Sequence, residues 1–161
     1  MSDTKQTFVR RIFPHQGLIR SLCCVYFSRR EDQEDAFQDV LLQLWKAYPA
    51  FRGESSLSTW VYKVALNTLL NKVKKERRMP VCIELPELGH STEENESVAL
   101  VQFALNQLSA DDKALLILHL EGYQYREIAE IRILTPTNVS TRLSRIKQQM
   151  KKILIRELSW K

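Results

Sequence analysis

Glycine and proline are scarce in this chain, at 4 and 5 of 161 residues. The apolar residues mostly recur at helical spacing, so the expected fold is all-α. Cysteine is also scarce, at three residues. Cys23 and Cys24 are neighbours, a poor structural pair, and no Cys/His set has zinc-ligand spacing. Reduced, partly buried thiols in a cytoplasmic protein are the default expectation. The histidines His15, His90 and His119 are scattered, with no nucleophile–base pair or metal set beside them. His119 reads as a helix-packing residue. No catalytic residue, metal or cofactor is expected. No apolar run approaches the roughly 18 residues that span a membrane. Residues 1–20 lack the apolar core of a signal peptide. No internal repeat is present.

Charge is present, and it is unevenly spread. The net charge is +5. Residues 1–78 carry 14 Lys+Arg against 8 Asp+Glu, a net +6. Residues 79–106 carry 5 acids and no base, while residues 107–161 carry 10 bases and 6 acids. Two basic lobes joined by an acidic connector suggest two modules that face nucleic acid.

The second lobe carries the sharper motif. Ser109-Ala110-Asp111-Asp112 is a capping-box-like helix start. Leu115, Leu116, Leu118, His119 and Leu120 follow as a mostly buried helix, and Gly122 is placed to end it. Tyr125 to Arg132 forms a short helix with Ile128, Ala129 and Ile131 facing inward. Thr135 suits an N-cap and Pro136 the first position of a third helix. Short helix, tight turn and longer basic helix make a helix-turn-helix pattern. Val139, Leu143, Ile146 and Met150 give the last helix one apolar stripe. Thr137, Asn138, Ser140 and Thr141 sit at its tip, where base edges would be met. Arg142, Arg145, Lys147, Lys151 and Lys152 follow with no acid among them, which suits phosphate.

The first lobe reads as three or four helices. One covers about 5–13 and stops or kinks at Pro14. A second runs from Gly17 to Phe27, with Leu18, Leu22, Val25 and Tyr26 as its apolar side. A third starts near Glu31, with a stripe of Phe37, Val40, Leu41, Leu44, Trp45 and Tyr48. Residues 51–58 form a loop. A fourth helix runs from about Thr59 to Arg77, with Trp60, Val61, Val64, Ala65, Thr68, Leu69 and Lys72 along one side. Its basic tail holds Lys72, Lys74, Lys75, Arg77 and Arg78. Trp60, Tyr62, Lys63 and Asn67 share that helix, and interleaved aromatic and basic groups suit single-stranded DNA, where each base can stack on a ring. Residues 79–98, with Pro80, Pro86, Gly89 and clustered Glu, read as a flexible linker. A short strand at Val81–Leu85 is the alternative.

In this order and spacing, the pieces resemble the extracytoplasmic-function sigma factors, the minimal two-domain sigma subunits of bacterial RNA polymerase. In the first lobe the resemblance rests on Glu34-Asp35-Ala36, Gln38-Asp39-Val40, Leu44-Trp45, Phe51-Arg52-Gly53, Thr59-Trp60-Val61-Tyr62, Ala65-Leu66-Asn67 and the basic Lys74–Arg78 run. In the second it rests on Leu105 and Leu108, Glu121-Gly122, the Tyr125–Ile131 helix, Val139 and Arg142-Leu143 with Arg145.

The resemblance implies three domains of labour. Residues 1–78 would be sigma region 2, 79–98 an acidic linker and 99–161 sigma region 4. Asp35, Gln38 and Asp39 would grip core RNA polymerase. The loop from Phe51 and Arg52 to Ser56 would capture a flipped −10 base. Trp60, Lys63 and Asn67 would hold the melted strand, although Trp60 reads equally well as a core residue. Trp45 reads as core. Thr137, Asn138, Ser140, Thr141, Arg142 and Arg145 would enter the −35 major groove. Promoter DNA, double- and single-stranded, is thus an expected partner.

One departure stands out. The family usually has Gly in the helix-turn-helix turn, and this chain has Ile133. A β-branched residue tolerates a left-handed backbone badly, so a reshaped turn is expected. No long inhibitory region precedes the first lobe and no intermediate domain fits between the lobes. Control from outside the chain, by an anti-sigma factor or by expression, is the implication. The rival readings are a polymerase-independent helix-turn-helix regulator and an enzyme with a DNA-binding tail.

Overall fold

The structure, a computed structural model, describes residues 2–76 and 93–159. The chain divides into two compact units, Met1–Met79 and Pro80–Lys161. All regular structure among the described residues is helical.

The first unit holds α1 (Ser2–Ile12), α2 (Gln16–Tyr26), α3 (Arg30–Ala47) and α4 (Leu57–Glu76). Pro14 does not kink one long helix. It sits in a single 3₁₀ turn, Phe13–His15, that joins α1 to α2. Proline is tolerated there because a first-turn N–H needs no partner. The core is apolar and tightly shared: Ile19 and Leu22 from α2, Ala36, Val40 and Leu44 from α3, Val61, Ala65, Leu66 and Leu69 from α4. Each fully buried aliphatic side chain contributes roughly 1.5–3 kcal/mol.

Several faces are rotated from the expected ones. On α2 the buried positions are Ile19, Leu22 and Cys23, while Leu18, Val25 and Tyr26 are only half-buried. On α4 the buried side includes Tyr62, Leu66 and Leu70, and Val64, Thr68 and Lys72 lie at its edge. The cause is the same in both helices. Each packs between two neighbours, so its buried arc is wider than a single stripe and shifts toward the bulkier contact. α4 also begins earlier than expected, at Leu57. The Ser56 hydroxyl accepts from the Thr59 amide at 3.1 Å and caps it.

The second unit holds α5 (Glu93–Asn106), α6 (Ala110–Leu120), α7 (Tyr125–Arg132) and α8 (Pro136–Leu158). α5 starts inside the span expected of the linker. The remainder of that span, with the strand alternative at Val81–Leu85, lies outside the described residues. Ser109 caps α6 by accepting from the Asp112 amide at 3.1 Å. Gly122, at φ +89°, ends it, with its amide donating to His119 and the Tyr123 amide to Leu118. Leu120 lies outside the buried side and is 74% exposed. Ile128, Ala129 and Ile131 of α7 and Val139, Leu143, Ile146 and Ile153 of α8 close the core around Leu115 and Leu118.

Thr135 accepts from the Asn138 amide at 3.1 Å and Pro136 follows it, so α8 starts as the residues dictate. The turn before it does not. Ile133 adopts φ 55°, ψ 54°, the left-handed conformation a glycine would take there. The turn is therefore not reshaped, contrary to expectation. Its Leu134 amide closes onto the Ala129 carbonyl at 2.8 Å. The side chain of Ile133 is 85% exposed, so no burial offsets the conformational cost.

Candidate nucleic-acid interface

In the first unit, an aromatic row runs across three helices and the loop. Phe8 of α1 stands edge-on to Trp45 at 5.0 Å and to Tyr48 at 5.2 Å between ring centroids. Tyr48 meets Trp60 at 6.4 Å, and Trp60 meets Phe51 at 5.0 Å with the rings tilted by 43°. Such pairs are worth about 0.5–1.5 kcal/mol beyond area burial. Arg11 completes the row. Its guanidinium lies 5.5 Å from the Phe51 ring centre and 5.9 Å from that of Tyr48, and it donates to the Tyr48 hydroxyl at 3.2 Å.

Two of the expected strand-holding residues, Phe51 and Trp60, belong to this row. Trp60 is half-buried in it, and Trp45 is 40% exposed at its far end rather than in the core. Phe51 is half-buried, while Arg52 is exposed beside Gly53, whose φ of 75° turns the loop. Lys63 and Asn67 are exposed, one turn apart on α4. Tyr62 does not belong with them. It is 2% exposed and cannot stack on a base. Arg11, Phe8 and Tyr48 were not singled out for this surface, because their partners lie tens of residues away and share no periodicity with them.

Asp35 and Gln38 are exposed on α3, and Asp39 is half-buried. The two acids are not independent of α4. The ammonium of Lys72 donates to Asp35 at 2.6 Å and to Asp39 at 3.0 Å. Burial opposes the charge on Lys72, but these two hydrogen bonds outweigh it and hold the ammonium up to about 12. Lys72 is thus a clasp between helices, not part of a free basic tail. Lys74 and Lys75 remain exposed. Arg77 and Arg78 lie outside the described residues.

In the second unit, Thr135, Thr137, Asn138, Thr141, Arg142 and Arg145 line one shallow concavity at the tip of α8. Ser140 is exposed but does not line it. Arg142 donates to Asp112 at 2.6 Å, and Arg132 to Asp111 at 2.8 Å. Asp112 therefore spends its carboxylate on α8 rather than on a capping box. The bases beyond the tip divide between two sides of α8. Arg145, Lys152 and Arg156 share a groove with Gln107, Gln148 and Gln149. Lys147 and Lys151 flank a separate apolar groove formed by Leu116, Leu120, Met150, Leu154, Ile155 and Leu158.

Two sequence families account for most of the chain. The model for Sigma-70 region 2 matches residues 12–79, and the model for Sigma-70 region 4 matches residues 99–150. The chain belongs to the extracytoplasmic-function sigma factors. These are DNA-binding transcription initiation factors, and the reading as a polymerase-independent regulator is not favoured. The sigma-E factor of Haemophilus influenzae is 28% identical over 166 aligned positions, covering 91% of this chain and 86% of that protein. SigG of Mycobacterium tuberculosis is 38% identical over 68 residues, which are 42% of this chain but only 18% of that relative's length. Among solved structures, RpoE of Bartonella quintana, crystallised with the anti-sigma factor NepR, shares the fold at a TM-score of 0.70. It is 24% identical, and the superposition covers 96% of this chain and 98% of that one. No helix among the described residues is long and apolar enough to cross a membrane.

Proposed function

We propose that this sigma factor directs core RNA polymerase to promoters by dividing the work between its two units. Residues 1–78 dock on the polymerase through Asp35, Gln38 and Asp39 and hold the opened −10 strand with Phe51, Arg52, Trp60, Lys63 and Asn67. Residues 99–161 read the −35 duplex with Thr137, Asn138, Ser140, Thr141, Arg142 and Arg145. The intervening acidic segment joins them. The protein performs no bond chemistry and acts in the cytoplasm. Its output is binding energy placed on the open form of the promoter. Stacking is worth about 1–3 kcal/mol per base, so a few such contacts offset the few kcal/mol that unstacking costs.

The observation that supports this reading is the aromatic row through Trp60, which shares α4 with exposed Lys63 and Asn67. A regulator that only binds duplex DNA has no use for a strand-stacking surface in a second unit. The anti-sigma complex of the Bartonella protein supports control of this chain, too, by a separate inhibitor. The test is transcription by core polymerase, with and without the protein, from DNA upstream of its own gene. A promoter-specific transcript that requires the protein is expected. Tight duplex binding by the protein alone, with no effect on core polymerase, would overturn the assignment.

A further inference from the structure

Both helices of the helix-turn-helix are tied to the first turn of α6. Asp111 accepts from Arg132, the last residue of α7, and Asp112 accepts from Arg142, in the second turn of α8. Asp112 is held from two sides. Its amide donates to the Ser109 cap, and its carboxylate sits at the positive end of the α6 dipole. Its side chain is 28% exposed and that of Arg142 is 31% exposed. Arg142 lies one turn past Asn138 and lines the same concavity. Arg145, further along that side, is exposed and has no ion pair among the described residues. Two arginines at one DNA-facing tip are therefore unlike. One is charge-matched, and the other has no carboxylate partner among the described residues.

We propose that Asp112 is a positioning residue for −35 recognition. By holding one guanidinium nitrogen of Arg142 it turns that side chain into a fixed fork that reads a base edge, and it leaves phosphate binding to Arg145. The inference rests on the reading of α8 as the −35 helix. Its physical basis is twofold. An arginine already matched by a carboxylate at 2.6 Å gains little from a phosphate, because its charge is spent. Its remaining N–H donors keep the planar geometry that suits two acceptors on guanine. A side chain locked before binding also loses less rotamer freedom on contact.

The experiment uses the full chain with core polymerase and measures binding to a panel of −35 variants over a range of KCl concentrations. Asp112→Asn, Asp112→Glu, Arg142→Ala and the Asp112→Asn/Arg142→Ala pair are compared. Asp112→Asn should cut the preference at the base Arg142 reads by about tenfold. It should also steepen the salt dependence by about 0.9 in the logarithmic slope, as the released arginine takes a phosphate. Asp112→Glu should restore most of both, and Asp112→Asn should change neither in the Arg142→Ala background. If Arg142→Ala changes the preference and Asp112→Asn does not, Asp112 positions nothing and the inference falls. Uniform weakening on every sequence, with a lowered unfolding midpoint and no rescue by Glu, would show a structural role and also overturn it. If Arg142→Ala itself leaves the preference intact, the assignment of Arg142 to base reading is what has failed.

Discussion

The Lys72 ammonium lies 2.6 Å from the nearer oxygen of Asp35, and that contact joins α4 to α3 at the face expected to meet the polymerase. A second hydrogen bond, to Asp39 at 3.0 Å, lets Lys72 bridge two acids. Lys72 is 19% exposed, but Asp35 is 63% exposed and Asp39 46%, so solvent screens much of the attraction. Replacing Lys72 by Met should cost about 1 kcal/mol in urea unfolding at neutral pH. The pH dependence has a definite sign. The folded-state value is raised from 10.5 to about 12, so the contribution is fully present below 10.5 and fades as pH rises toward 12. The stability gap between wild type and Lys72→Met should stay constant from pH 7 to 10 and close above it. A gap that closed on acidification instead would place the stabilisation elsewhere.

Ile133 offers a gain rather than a loss. A left-handed backbone costs an L-residue about 1–2 kcal/mol, and glycine returns about 0.5–1 kcal/mol of that as entropy in the unfolded chain. The side chain is exposed, so no packing is lost. Ile133→Gly should stabilise the second unit by roughly 0.5–1 kcal/mol. Ile133→Ala, which keeps the Cβ, should gain much less. Hydrogen exchange of the α7 and α8 amides in the full chain would report both. Equal protection in all three proteins would mean that the turn bears no strain.

The strand-holding role predicts a split between binding and opening. Asn67→Ala and Lys63→Ala should lower permanganate reactivity of −10 thymines several-fold while leaving promoter occupancy near normal. Trp60→Ala should lower both, because Trp60 also supports Phe51 and Tyr48. Normal reactivity in the Asn67 and Lys63 variants would remove them from the opened strand.

The two sides of α8 make a further distinction. Lys152→Ala should weaken promoter binding evenly across sequences and lower the salt slope by up to about 0.9. Lys147→Ala, on the side of the apolar groove, should leave the slope alone. The same slope change from Lys147→Ala would put that groove against DNA.

The helix-turn-helix was legible in the sequence because its signals are local. Ser109, Gly122, Thr135 and Pro136 each act within four residues of themselves, and each does what its chemistry dictates. Periodicity likewise exposed the buried residues of α7 and, on α8, Val139, Leu143 and Ile146, but Met150 is only half-buried and Ile153, outside the expected stripe, is buried instead. Tertiary pairs were not legible. Nothing local says that Lys72 clasps Asp35 or that Arg142 turns to Asp112, since a basic run looks the same whether or not acids approach it from another helix. Tyr62 was misplaced for a related reason. α4 is enclosed by two helices, and an aromatic that alternates with bases along the chain can still face inward. Ile133 shows the reverse limit. The rule that disfavours its backbone did not decide its conformation: Ile133 is left-handed in a turn closed by the Leu134–Ala129 hydrogen bond.

Phe51 has a consequence of its own. One neighbour of its ring is the indole of Trp60, and another is the guanidinium of Arg11. Both contacts are in place before any nucleic acid arrives. A base that stacks on it joins by exchange rather than by addition, and what it gains is the difference between its own stack and the contact it displaces. If the loop holds a base as proposed, α1, through Arg11, would set the reference against which each base is weighed.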